Sequence, residues 1–142
     1  GHRSFNGSCL FWPLNRPTGL RRSQWPDDAD PYAFDSVEAD VDAAVRRMEG
    51  ADMDRADAAW IIAELRWVAD ALKLGCAVGR ARCGLPYDAG LDQIPEPQRR
   101  VLADQLCALI VQHRRIWPFR SRPGGLERSA AWLERALALL QA

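Results

Sequence analysis

The sequence has no run of 18 or more apolar residues, which excludes an ordinary membrane-spanning helix. It has no excess charge either, because 19 basic residues face 19 acidic ones. A generic nucleic-acid or acidic-membrane binder is thereby disfavoured, since phosphate binding draws on clustered positive charge. The four cysteines, Cys9, Cys76, Cys83 and Cys107, show no CxxC spacing, so neither a zinc site nor a disulfide scaffold is indicated. Cys76 and Cys83, seven apart on one predicted helix, stand about 10 Å apart along its axis, too far for a disulfide. Buried free thiols are expected. No glycine-rich phosphate loop occurs, no segment alternates as a strand between hairpin turns, and no cofactor is implied. Lysine is nearly missing: Lys73 stands against 18 arginines. With abundant alanine, this reads first as GC-rich coding and only second as a special use of the guanidinium.

What remains is the profile of one globular domain. The 142 residues suffice for a core without disulfides or metals but fall short of a (β/α)₈ barrel, which needs about 250. Gly1-His2 resembles the scar of a cleaved expression tag and is set aside. Residues 1–34 hold Pro13, Pro17, Pro26 and Pro31 without helical or strand period, and read as an irregular aromatic arm. Residues 35–142 read as an all-α bundle of about four helices.

The first predicted helix opens at Asp35 with Glu38 as a capping box and runs along Val37, Val41, Ala44, Val45 and Met48. The second spans about Asp54 to Cys83 and stops at Gly84-Leu85-Pro86. Its core stripe is Ile61, Leu65, Val68, Leu72, Cys76 and Cys83, broadened by Trp60, Trp67, Leu74 and Val78. Arg66, Asp70, Lys73 and Arg80 form a solvated face with local ion pairs. Gly75 and Gly79 each weaken this helix, so a close crossing or an aromatic contact is the expected compensation. After a linker over Leu85 to Ile94, Pro95 and Pro97 open a third helix with the stripe Leu102, Leu106, Leu109, Ile110, His113 and Ile116, ending at Trp117-Pro118. The fourth carries Leu126, Ala130, Leu133, Leu137 and Leu140.

No catalytic constellation is apparent. The carboxylates have cap or ion-pair explanations, Cys107 and His113 lie six apart on one helix, and His113 reads as a core or boundary histidine. Of the six tryptophans, Trp60, Trp67 and Trp132 read as core. Trp12, Trp25 and Trp117 sit beside prolines at segment ends. With Arg16, Arg120 and Arg122 they are candidates for interface or sugar contact. Two phrases echo each other, Trp12-Pro13 through Ser23 and Trp117-Pro118 through Ser129, sharing Arg-Pro-x-Gly-Leu-x-Arg-Ser. Convergent turn chemistry and a true duplication are both open.

The tail from Trp117 to Ser129, with Arg122-Pro123-Gly124-Gly125-Leu126 before a short amphipathic helix, resembles the C-terminal end of bacterial β-N-acetylhexosaminidase-like glycoside hydrolases of family twenty. The helix from Glu64-Leu65-Arg66 through Leu72, Leu74, Cys76 and Arg80 is similar to the one preceding that tail. The resemblance covers about residues 55 to 140. This chain has Ser121 where such tails commonly carry Asn, and Pro118-Phe119 in place of a longer aliphatic stretch. Catalysis in that family belongs to a barrel with an adjacent Asp-Glu pair and uses the substrate acetamido group as nucleophile, and no Asp-Glu dipeptide occurs here. The resemblance therefore implies a non-catalytic helical accessory region. Its expected partner is the catalytic domain of the same parent chain or a second subunit, a homodimer included. The alternatives are a free-standing helical module for a protein or ligand, and sugar binding by the Trp/Arg loops. The compartment stays open, with the cytoplasm favoured.

Overall fold

The computed structural model describes residues 12–25, 29–121 and 123–142, without the side chains of Arg120 and Pro123. Gly1-His2, Cys9 and Arg122 lie outside the described residues. The chain is all-α: helices α1 (Trp12–Asn15), α2 (Pro31–Glu49), α3 (Ala58–Arg82), α4 (Glu96–Arg120) and α5 (Leu126–Leu140), with short 3-10 turns at Arg22–Gln24, Leu91–Gln93 and Pro123–Gly125. Consecutive long helices pack on one another, α2 on α3, α3 on α4 and α4 on α5, while the single turn of α1 sits between α3 and α5. That arrangement decides which apolar faces are covered.

The main core lies where α3, α4 and α5 meet. Leu74 and Val78 pack there against Leu102, Leu106, Leu109 and Ile110 and against Ala136 and Leu140. The linker after α3 contributes Leu91 and Ile94 to the same core. Each fully buried side chain of this size stabilises the fold by roughly 1.5–3 kcal/mol. The expected stripes of α4 and α5 face inward as spaced. Helix α4 runs through Pro118 to Arg120, two residues past its predicted stop. Pro118 stands in the last turn, where its missing N–H removes only the bond to the Arg114 carbonyl.

Helix α2 starts at Pro31, not at Asp35. Asp30 is the cap, its Oδ1 accepting from the Tyr32 N–H at 2.9 Å, and Pro31 has its φ already set for the first turn. The bundle thus begins four residues before the expected boundary of the arm. Asp35 and Glu38, one turn further on, face α3 and together hold Arg80, at 2.9 and 2.6 Å. The polar face of α3 is indeed ion-paired, but across to α2 rather than locally. Arg66 reaches Glu49 at 3.3 Å and Lys73 pairs with Asp42. Phe34 is the one buried side chain of α2, so the expected stripe from Val37 to Met48 is only half-covered.

Phe34 explains a glycine. A Cβ on Gly79 would overlap the Phe34 ring, with Cζ at 2.6 Å, so the aromatic contact expected to compensate this helix-weakening residue is present. Trp25 stacks on the other side of Phe34 at 6.1 Å between centroids and lies over the Arg82 guanidinium at 5.3 Å. Arg82 is 1% exposed and has no carboxylate partner among the described residues. Its Nη1 donates to the Ala89 carbonyl at 2.6 Å and its Nη2 to the Tyr87 carbonyl at 2.9 Å. Burial pushes its pKa down from the ordinary arginine value. These bonds tie the linker back onto α3 just after Gly84, at φ +88°, has ended the helix. The arm is fastened to the same linker, since Leu20 N–H donates to the Tyr87 carbonyl and Leu91 N–H to the Pro17 carbonyl, at 3.1 and 2.8 Å.

Candidate functional site

The expected core stripe of α3 is covered only in its C-terminal half. Leu65 and Val68 are each 46% exposed and Leu72 is 37% exposed, whereas Cys76 is fully buried. The reason is architectural: among the described residues α2 takes one side of α3, α4 takes another, and the short α1 meets a third. Among the described residues, an opening bordered by α1 lies between α3 and α5. A groove of about 510 Å³ lies there, within the size range of small-molecule sites.

Leu14 and Asn15 of α1 close one end of the groove, and Trp67, Val68, Ala71 and Leu72 of α3 form one wall. Trp132 and Leu133 of α5 form the other, with His113 of α4 and Ser129 of α5 supplying polar atoms. Trp132 is 46% exposed, which corrects its reading as core, and the Arg135 guanidinium lies over its ring at 4.0 Å. Trp67 is half-buried and fixed in place by its indole N–H, which donates to the Leu109 carbonyl at 2.9 Å. The aromatic wall therefore has one rigid member and one at the rim.

His113 is buried, as expected of a core or boundary histidine. Its Nε2 lies 3.0 Å from Ser129 Oγ, and its ring stands between Trp67 at 5.1 Å and the edge of Trp117 at 5.2 Å. Burial, aided by the neighbouring Arg114 charge, holds its pKa below the usual histidine value, so the ring is neutral at neutral pH. Arg114 itself points away. It bonds both oxygens of Glu127, at 2.7 and 3.0 Å, and reaches Glu134 at 2.8 Å. Among the described residues, none lining the groove carries a formal charge apart from what His113 can acquire.

The candidates from the sequence are distributed differently. Trp12 and Trp25 belong to a second apolar cluster with Leu20, Phe34 and Cys76, and Trp25, at 7% exposure, is packed within the fold. Arg16 is exposed and lies 5.9 Å from the Trp12 ring. Trp117 is half-buried against His113 and against Gly125, where a Cβ would come within 2.9 Å of its ring. Arg122 and the side chain of Arg120 fall outside the described residues, so the Trp/Arg loops are not placed as one surface. The echoing phrases also differ in form, because Trp12 opens a helical turn while Trp117 lies in the last turn of α4. Trp60, expected in the core, is half-buried and stacks on the exposed Phe119.

Among the described cysteines, Cys76 is buried, Cys83 half-buried and Cys107 exposed, all as free thiols. Cys107 departs from its expected burial because it stands on the face of α4 opposite the Leu102, Leu106 and Leu109 stripe. Burial raises the Cys83 thiol pKa, and its Sγ donates to the Gly79 carbonyl at 3.4 Å. The described residues hold no group of three or more His, Cys, Asp or Glu side chains that could bind a metal. No helix among them is long and apolar enough to cross a membrane. His113 belongs to the predicted α4 stripe, whereas Ser129 lies beside the predicted α5 stripe, next to Ala130, and stands out in the sequence only as the end of the echoing phrase. No known protein family, curated protein or solved structure matches the chain.

Proposed function

We propose that the chain is a non-catalytic helical binding module whose working site is the groove between α3 and α5. The observation that carries this reading is the apolar lining of Trp67, Val68, Leu72 and Trp132, with Val68 and Leu72 exposed, together with the part-buried His113–Ser129 pair. Isolated exposed apolar residues need no explanation, but a concave apolar site with a few converging polar atoms is the usual form of a ligand pocket. The Ser129–His113 pair supports binding more than nucleophilic catalysis. Among the described residues no carboxylate bonds the His113 ring to orient it as a base.

Titration with the uncharged fluorophore N-phenyl-1-naphthylamine tests the reading. Saturable one-to-one binding is expected, and Val68→Glu, which places a charge at an exposed wall position, abolishes it without changing the thermal melt. No saturable binding, or equal binding by Val68→Glu, would refute the reading.

The second reading is that of an accessory region of a glycoside hydrolase, packed on a catalytic barrel or a second subunit. Its support is the Trp60–Phe119 stack, with centroids 3.3 Å apart and Phe119 53% exposed in the phrase that resembles the hydrolase tail. A neighbouring domain would cover that ring pair. Joining the chain to its flanking regions in the parent gene would then shield Phe119 from solvent; an equally exposed ring would speak against packing there.

A further inference from the structure

We propose that the groove selects an uncharged aromatic ligand carrying one hydroxyl group, held by the His113–Ser129 pair, and discriminates against the corresponding carboxylate. This inference rests on the groove being a binding site and adds the chemical class that fits it.

The argument begins with the pair itself. His113 is 9% exposed, and its Nε2 is 3.0 Å from Ser129 Oγ, so the two side chains satisfy one hydrogen bond between them. If Nε2 carries no proton, the serine hydroxyl donates to it and the oxygen keeps free lone pairs for a ligand donor. If Nε2 carries the proton, the serine accepts and its own hydrogen is free for a ligand acceptor. Either tautomer leaves Ser129 Oγ free for a further hydrogen bond, as an acceptor only in the first case and as a donor or acceptor in the second. A ligand hydroxyl is both donor and acceptor and meets both. A ketone or ether meets only the second.

The charge of the ligand is limited by the walls. Among the described residues the groove lining has no lysine or arginine; Arg114, next to His113 in the chain, pairs with Glu127 and Glu134, and Arg135 lies over the Trp132 ring. A carboxylate lowered into the groove would lose its hydration with no fixed counter-charge. The body of the ligand is set by Trp67 and Trp132, whose rings suit a flat aromatic partner.

The test compares naphthalene, 2-naphthol and 2-naphthoate at neutral pH by calorimetry, on the wild type, Ser129→Ala and Ser129→Thr. For the wild type, 2-naphthol should bind about two- to tenfold more tightly than naphthalene, the net worth of one hydrogen bond, and 2-naphthoate should bind most weakly. Ser129→Ala should abolish the preference for the hydroxyl while leaving naphthalene affinity within about twofold, and Ser129→Thr should restore it. Naphthalene binding with no gain for 2-naphthol, or tightest binding of 2-naphthoate, would overturn the proposed class while the groove remained a binding site. Binding of none of the three would overturn the class together with the site.

Discussion

Two arginines on the last turns of α3 test the physical reasoning against each other. Among the described residues Arg80 has two carboxylate partners and Arg82 has none, so a tally of salt bridges would rank Arg80 as the more stabilising. Burial reverses the order. The Arg80 pairs are partly solvent-exposed, where an ion pair contributes about 1 kcal/mol or less. Arg82 is 1% exposed and satisfies the carbonyls of Tyr87 and Ala89, which hold the linker and, through Leu20, the arm. Net values for bonds from charged donors already include the cost of dehydrating the charge and start at about 1.5 kcal/mol each, so two give about 3 kcal/mol. Arg82→Met, which keeps side-chain length, should therefore lower stability by about 3 kcal/mol and Tm by about 10 °C for a domain of this size. Arg80→Met should cost about 1 kcal/mol. Urea unfolding followed by circular dichroism measures both. If Arg80→Met proves as damaging as Arg82→Met, the assignment of the linker's anchor to the buried, carbonyl-bonded guanidinium is wrong.

Gly79→Ala tests the contact beneath Phe34. Helix propensity alone would favour alanine by about 1 kcal/mol, but its Cβ would overlap the ring, and overpacking commonly costs about 1–3 kcal/mol, so thermal unfolding should show net destabilisation. His113 sets a pH dependence. Its folded pKa lies below the ordinary value of 6.5, so as pH falls below about 6.5 the unfolded chain takes up a proton that the folded chain resists. Stability contributed above that pH is thus lost on the acid side, and His113→Gln should flatten the loss in denaturant titrations between about pH 7 and 5. An aryl N-acetylglucosaminide should not be turned over by this chain; hydrolysis above background that survived repurification would contradict a non-catalytic role.

Much of the fold was legible because helical periodicity is local. The stripes of α4 and α5, the stop at Gly84 and the compensated Gly79 all follow from spacing and from residue chemistry near each position. Spacing does not say how many neighbours a helix receives. The stripe through Leu65, Val68 and Leu72 has core periodicity, yet among the described residues these side chains stand open, with the short α1 as the neighbour on that side. The groove is the consequence, and it became visible only once the order of helix contacts was known. Arg82 was hidden for a similar reason, since nothing in its neighbourhood marks it as different from Arg80, and its partners are backbone carbonyls. Asp35 and Glu38 had the spacing of a capping box, but Asp30-Pro31 carried the stronger start signal, which left the later pair to bind Arg80.

The most direct test of the groove as the working site is an NMR titration that follows the indole N–H resonances as N-phenyl-1-naphthylamine is added. Trp67 and Trp132 line the groove, whereas Trp25 and Trp60 pack elsewhere against Phe34 and Phe119. Saturable shifts of the Trp67 and Trp132 signals, with those of Trp25 and Trp60 unmoved, are the predicted result. Shifts confined to Trp25 or Trp60, or no saturable shift at any indole, would contradict it.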